Sequence, residues 1–322
     1  MTPTVSAVIT AHNYGRFLPA ALDSLLGQTF TGWEAVIVDD GSTDDTPAVA
    51  ARYLRDPRIR YHRTDHVGQP AAKNLGVRLT QAPLVAFLDA DDVWLPRKLE
   101  RQLALFADPA VGVVYGRRVL IDEEGFELEG PTPSLHRGPV LPEIFRRNFV
   151  CFSSSVVRRE VFESAGGFDE KLALAIDYDL WLRVALRWHF DYVDEPVVKY
   201  RTGHANLSRR RPERVRTAAF IIRRFLDERG GRQALAPALV RLVLAENCLD
   251  MGAAVGGLAC GKWFVKALRY QPTHPVAWHA LLAFWWPESM RRLVRRALGR
   301  RDWQQLRRAE SDGARSPALT PS

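Results

Sequence analysis

At 322 residues, 47% of them hydrophobic and 25% charged with both signs mixed, the chain has material for a large folded core and lacks the composition of a disordered protein. Its three cysteines, Cys151, Cys248 and Cys260, are odd in number and without metal-ligand spacing, which argues against a zinc site or disulfide framework and for core thiols in a reducing compartment. The net charge of +8 is lopsided: residues 1–200 carry 22 basic and 28 acidic side chains, and residues 201–322 carry 23 basic and 9 acidic. Such asymmetry points to an anionic surface met by the C-terminal part.

In chain order, Val5–Thr10 reads as a buried strand, and Phe17, Leu18, Leu22, Leu25 and Leu26 recur at helical spacing. Trp33–Val38 is a second strand, followed by a predicted helix over Thr43–Leu54 with Ser42 or Thr43 as N-cap. A short strand at Ile59–His62, a helix from Pro70 through Leu79 and a strand at Leu84–Leu88 continue the alternation. Pro96 suits the first turn of a helix carrying Leu99, Leu103 and Phe106. The expected fold class is α/β, a mostly parallel sheet flanked by helices.

Beyond residue 108 the texture changes. Val111–Tyr115, Ser153–Val157 and Val197–Tyr200 are expected strands, Asp122–Pro139 a Gly/Pro-rich loop over the site, and Leu180–Leu186 a helix. Ala218–Leu226, Ala236–Leu249, Lys262–Leu268 and the arginine-bearing Pro287–Leu298 have helical periodicity, giving a C-terminal helical appendage with a polar, disordered tail from Ser311. The predicted units are 1–108, 109–208, 209–310 and 311–322. The longest apolar stretches, Met251–Cys260 and Val276–Trp286, fall short of the ~20 residues of a spanning helix. With no leader pattern before the first strand, the expected location is cytoplasmic.

Function is concentrated where apolar runs end. Ser6–Ile9 runs into Thr10-Ala11-His12-Asn13, Val36–Val38 into Asp39-Asp40-Gly41-Ser42, Leu84–Leu88 into Asp89-Ala90-Asp91-Asp92, and Ala173–Ile176 into Asp177-Tyr178-Asp179. Ligands of open parallel sheets bind at the carboxyl ends of the strands, so carboxylates collected there imply a metal, a polyphosphate or a proton to be moved. Each motif has a plainer alternative. Asp39–Thr46 is also a turn with a helix cap, Asp89–Asp92 a solvated acidic turn, and Asp177 a helix N-cap. Three carboxylates in four residues nevertheless repel one another without a cation or donors, and Mg²⁺ commonly takes one or two carboxylates plus substrate phosphates.

These segments, with Ala72-Lys73-Asn74-Leu75-Gly76 and Asp177-Tyr178-Asp179-Leu180-Trp181, occur in an order that resembles family 2 glycosyltransferases over residues 4–208. These are inverting, nucleotide-sugar-dependent enzymes of the GT-A fold. The resemblance implies that Thr10, His12 and Asp40 contact the uracil end of a UDP-sugar, with Asn13 and Asp39 beside them. It puts Lys73 near the nucleotide, where an arginine is usual, and Asp89 and Ala90 at the ribose or sugar. Asp91 would hold Mn²⁺ or Mg²⁺ against the diphosphate, with His204 in the closing segment Tyr200-Arg201-Thr202-Gly203-His204 as a second ligand. Asp177 would be the general base, and Trp94, Tyr178, Asp179, Trp181 and Arg201 would line the acceptor side. Two departures stand out: His12 replaces an aromatic residue, commonly tyrosine, that stacks on the base, and Ile176 replaces an acid before the general base.

The implied reaction moves a sugar to a hydroxyl of a glycan or lipid-linked acceptor in envelope polysaccharide synthesis. A nucleotidyltransferase is a rival, but Ala11-His12-Asn13-Tyr14-Gly15 lacks the Gly-rich basic loop it wants. A catalytically idle donor-binding relative is another. A nucleic-acid-binding protein would be repelled by the acidic first 200 residues, so no nucleic-acid partner is expected. Trp263, Phe264, Trp278, Phe284, Trp285, Trp286 and Trp303 lie among basic residues of the 209–310 region, either as a helical core or as a peripheral attachment to an anionic membrane.

Overall fold

The computed structural model describes residues 2–203, 211–255 and 257–285. The first ninety residues alternate as expected: β1 (Val5–Ala11), α1 (Leu18–Leu26), β2 (Trp33–Asp39), α2 (Thr46–Ala51), β3 (Ile59–Arg63), α3 (Gln69–Arg78) and β4 (Leu84–Asp89). There follow β5 (Val93–Trp94), α4 (Lys98–Leu103), β6 (Val111–Ile121), β7 (Glu127–Leu128), α5 (Leu141–Arg146), β8 (Val156–Arg158), α6 (Arg159–Ser164), α7 (Ile176–Val184) and β9 (His189–Arg201). The remaining helices are α8 (Arg211–Glu228), α9 (Gly231–Ala234), α10 (Pro237–Val255), α11 (Gly261–Tyr270) and α12 (Pro275–Trp285).

One sheet runs β3-β2-β1-β4-β8-β6-β9-β5, with β7 on β6. The long ladders are parallel: β3 to β2, β2 to β1, β1 to β4, and β6 to β9. Antiparallel pairing is confined to ladders of two or three residues: β8 with β4 and β6, β5 with β9, and β7 with β6. Helix α3 can lie close on the sheet because Gly76 faces Val8 and Val36; a Cβ there would run into the Val8 side chain. Beneath the helices, Ile9, Leu22, Leu25, Trp33, Ile37, Leu88 and Trp94 share one buried core.

Several boundaries differ from expectation, and three of them have a clear tertiary reason. Helix α2 starts three residues late because Asn13 Oδ1 accepts the Thr43 and Asp44 N–H groups and Asp44 accepts those of Gly15 and Thr46, holding residues 43–45 as a loop. Strand β9 begins eight residues before Val197, since β6 offers it a long parallel edge that it follows across several register shifts. The expected limit at 208 moves as well: the chain divides into compact units at residues 243 and 244, so α8 and α9 belong with the sheet. Helix α8 buries Ile221, Ile222, Phe225 and Leu226 and packs Phe225 near Phe145. In the second unit Ala245, Cys248, Leu249, Ala267 and Ala277 form a small core, covered by Trp263, Phe264, Leu268 and Val276. Among the described residues, no helix is long and apolar enough to cross a membrane.

Candidate active site

The parallel register sets the strand ends level, with Ala11 beside Asp39 and Thr10 beside Asp89. Under them lies Lys73, 1% exposed, which donates from Nζ to Asp89 Oδ1 at 2.6 Å and to Thr10 Oγ1 at 3.0 Å. Its ammonium also sits 4.5 Å from the centre of the Phe152 ring. A buried cation is tolerable only when paired, and here it compensates one of the three clustered carboxylates.

The other two are tied less evenly. Arg201 donates its backbone N–H to Asp92 Oδ1 and its Nε to the Asp91 carbonyl, while Nη1 reaches the carbonyls of Asp122 and Glu123. This buried guanidinium therefore fastens the acidic turn to the loop after β6. Asp92 is itself buried, and its Oδ2 has no hydrogen-bond partner among the described groups. Burial, reinforced by Asp91 and Asp89, pushes its carboxyl well above the usual range. The Tyr14 hydroxyl is raised too, by burial first and then by Asp91, Asp89 and Asp92, which puts Tyr14 at the same cluster.

At the neighbouring strand end the carboxylates serve the chain's own loops. Asp39 Oδ1 accepts from the Ser42 N–H and Oδ2 from the Tyr61 hydroxyl. Asp40 accepts from Thr64 Oγ1 and from the N–H groups of Val67 and Gly68. The turn is close: Gly41 has φ of 73°, and a Cβ there would meet the His66 backbone. His12 and His66 stack with ring centroids 4.1 Å apart, and both Nδ1 atoms approach the Asp40 carbonyl. Asn13, also at positive φ, joins this loop to the Ser42–Asp44 turn.

Asp177 lies in the first turn of α7, directly after Ile176, and the residue at the N-cap is Ala175, which has φ of 54° and no capping bond. The plain alternative of an N-cap is therefore not what the carboxylate does. Its Oδ2 accepts from Asn148 Nδ2 at 2.7 Å. Burial raises its pKa above the ordinary value; Asn148, the Tyr178 N–H and Arg214 oppose that rise, and the charge of Asp89 adds to it. Asp177 and Asp89 thus feel each other across the end of the sheet.

All five residues expected to line the acceptor side are buried instead, Arg201 among them. Asp179 is 2% exposed and bonded to Arg183, Arg224 and Arg229. Trp181 packs edge-on against Phe190. Trp94 gives its Nε1–H to the Ser153 carbonyl, and Tyr178 its hydroxyl to the Phe145 carbonyl. Their positions on buried faces outweigh the nearness in sequence to Asp91 and Asp177 that suggested a cleft. Ala90 is likewise buried, and His204 lies outside the described residues. A separate groove of about 1000 Å³, lined by Asn74, Phe162, Gly167, Arg187 and Trp188, contains none of the strand-end carboxylates.

Several contributors have weak sequence signals. Tyr14 is flagged only by its place after Asn13, and Asp92 by its place beside Asp91. Asn148 and Ser153, whose Oγ accepts the Asp89 N–H, arrive from segments with no motif. Such partners become visible only once the sheet brings distant loops together.

A profile for glycosyl transferase family 2 matches residues 6–166. An uncharacterized glycosyltransferase of Rickettsia felis is 32% identical over 200 residues, covering 59% of this chain and 33% of that protein. Chondroitin synthase of Escherichia coli is 30% identical over 196 residues, covering 60% and 28%. The chain spans 33–40% of the length of the first three relatives it matches. Among solved structures, S. aureus TarS residues 1–349 in complex with UDP-GlcNAc matches with a TM-score of 0.62 at 18% identity, covering 86% of this chain and 83% of that one. A mannosyltransferase from Pyrobaculum calidifontis in complex with GDP-Man and Mn²⁺ matches at 0.59 and 18%, covering 88% and 85%. At these identities the structural likenesses speak for a shared GT-A fold, while the sequence match is more specific: the chain belongs to glycosyl transferase family 2.

Proposed function

We propose that the chain transfers a sugar, with inversion, from a nucleoside-diphosphate donor to a hydroxyl of a glycan or lipid-linked acceptor, and that the donor is a UDP-sugar. The observation that supports this reading is Asp177 itself: a carboxylate at the start of α7 that accepts from Asn148 and whose pKa is raised first by burial, with a smaller contribution from Asp89 at the end of β4. In the transfer, the acceptor oxygen bonds to the anomeric carbon as that carbon's bond to the diphosphate oxygen breaks. The hydroxyl proton passes to Asp177, a carboxylate base of the type that contributes roughly 10²–10⁴-fold. Lys73 holds Asp89 and Thr10 in place beneath the donor, and Arg201 fixes the Asp91 backbone and the Asp92 carboxylate.

A divalent ion fits the donor set. Asp89 and Asp91 offer hard oxygen ligands, and the Asp92 carboxyl beside them, raised by burial and then by Asp91 and Asp89, marks unrelieved repulsion within the cluster. Asp91 would hold the ion, which would neutralise charge on the leaving diphosphate. Among the described residues no three acidic, histidine or cysteine side chains converge on one point, so substrate oxygens would complete the shell. The donor bound by TarS and the Mn²⁺ held by the mannosyltransferase support a nucleotide-sugar and a metal of this kind. The similarity to chondroitin synthase supports an acceptor in polysaccharide assembly. All three cysteines are free thiols, which fits a cytoplasmic enzyme.

The test is a panel of nucleotide sugars, with Mn²⁺ or with chelator, read by thermal stabilisation and by release of nucleoside diphosphate. A ligand binding the native state raises its midpoint, so one UDP-sugar should stabilise the protein only with metal and be slowly hydrolysed. Absence of any stabilisation across the panel would remove the reading.

A further inference from the structure

The second unit keeps its aromatic residues in two different settings. Trp263 and Phe264 pack against the small core of Ala245, Cys248, Leu249 and Ala267. Other large apolar side chains point outward: of the ten exposed among the described residues, Val255, Val265, Trp278 and Leu282 fall in this unit. Trp278 is 47% exposed and Leu282 is 52% exposed, values at odds with a finished soluble surface when they fall on one stripe. They do. Pro275, Trp278, His279 and Leu282 follow the i, i+3, i+4, i+7 spacing of one helix face, and all four are exposed. Trp278 is braced rather than loose, since its Nε1–H donates to the Pro272 carbonyl at 2.6 Å.

The outward face of α11 supplies the charge. Lys262, Val265, Lys266 and Arg269 share it by the same spacing, and the two ammonium groups lie 6.0 and 5.4 Å from the centre of the Trp263 ring. A cationic face on one helix beside a tryptophan–leucine stripe on the next has the chemistry of an element lying in a membrane interface. Residues 201–322 carry the chain's excess of 23 basic over 9 acidic side chains, while residues 1–200 are net acidic. Attraction to an anionic surface therefore originates in the C-terminal part.

We infer that the α11–α12 hairpin is a docking surface for an anionic lipid bilayer, with Trp278 and Leu282 entering the interface and Lys262, Lys266 and Arg269 meeting the headgroups. The inference stands independently of the catalytic reading. Each basic residue near an anionic surface is worth about 1 kcal/mol, or roughly fivefold in partitioning.

The full-length chain is floated with vesicles of phosphatidylcholine alone and with vesicles containing one quarter phosphatidylglycerol. Binding is expected to the anionic vesicles only and to weaken with added salt. Trp278→Ser with Leu282→Ser should lower the bound fraction at least fivefold, and Trp278→Phe should restore most of it. Lys262→Gln, Lys266→Gln and Arg269→Gln together should lower it by at least tenfold at low salt. Unchanged thermal midpoints verify that the variants fold, and loss of folding in the serine pair leaves the glutamine triple and Trp278→Phe to decide. Equal flotation with neutral vesicles, or full binding by the folded variants, overturns the inference. So does a light-scattering dimer that the serine pair converts to monomer without any flotation, which would assign the face to a second copy.

Discussion

Helix α7 separates two regions that treat a carboxylate in opposite ways. On the crevice side, Asp177 accepts among the described residues from the Asn148 side chain, and burial drives its pKa up. Two residues on, Asp179 enters a pocket where Arg183 and Arg224 donate at 2.7 Å and Arg229 at 2.8 Å. Asp169 shares the last two arginines, and Arg183 also binds the carbonyls of Ala165 and Gly167. One charge is left under-compensated, as suits a group that must exchange a proton. The other is saturated and joins the loop before α7 to α8. The contrast teaches that two carboxylates on one helix are set apart by the donors their surroundings supply.

The largest expected effect breaks the crevice half of this contrast. Asp177→Asn should lower kcat by about 10²–10⁴-fold and leave donor affinity, measured by calorimetry, within about twofold; a near-native rate would end the assignment. For the other half, Asp179→Ala takes from Arg183 its carboxylate partner and leaves Arg224 and Arg229 to share Asp169 in a buried pocket. Removing one partner of a buried ion pair costs about 3–5 kcal/mol, readable as a lower urea midpoint, and an unchanged midpoint would show that the cage is dispensable.

A finer test follows from the raised pKa of Asp177. The base must be ionised, so kcat/KM should be full above that pKa and fall tenfold per pH unit as pH drops through it. The acid limb should lie above the ordinary carboxylate value of 3.8. Asn148→Ala removes a bond that favours the ionised form, and should move the limb upward by about one pH unit, equivalent to about 1.4 kcal/mol. A downward shift would contradict the geometry. The smallest effect belongs to Arg229→Gln, which leaves Asp179 two arginines. A loss of about 1 kcal/mol in stability, with kcat changed less than twofold, would show the cage acting on the frame and not on the chemistry.

Much of this was legible in the chain itself. The apolar runs ending in Thr10, Asp39 and Asp89 announce three parallel strands with their polar ends on one edge, because strand and helix periods are written locally in side-chain spacing. Lys73 is legible too, through the resemblance of its segment Ala72–Gly76 to the family's. What could not be read is which carboxylate faces what. Asp177 and Asp179 have the same residue type and nearly the same position, and only the packing of α7 between the Asn148 loop and α8 assigns them different tasks.

Local spacing thus determined the alternation of elements, the level strand ends and the set of acidic groups available at them. Tertiary structure alone decided the reach of β9 along β6, the place of α8 in the first unit and the burial of Trp94 and Trp181. It also decided the partners of every carboxylate, since burial and electrostatic compensation depend on groups as far apart in sequence as Asp92 and Arg201, 109 residues.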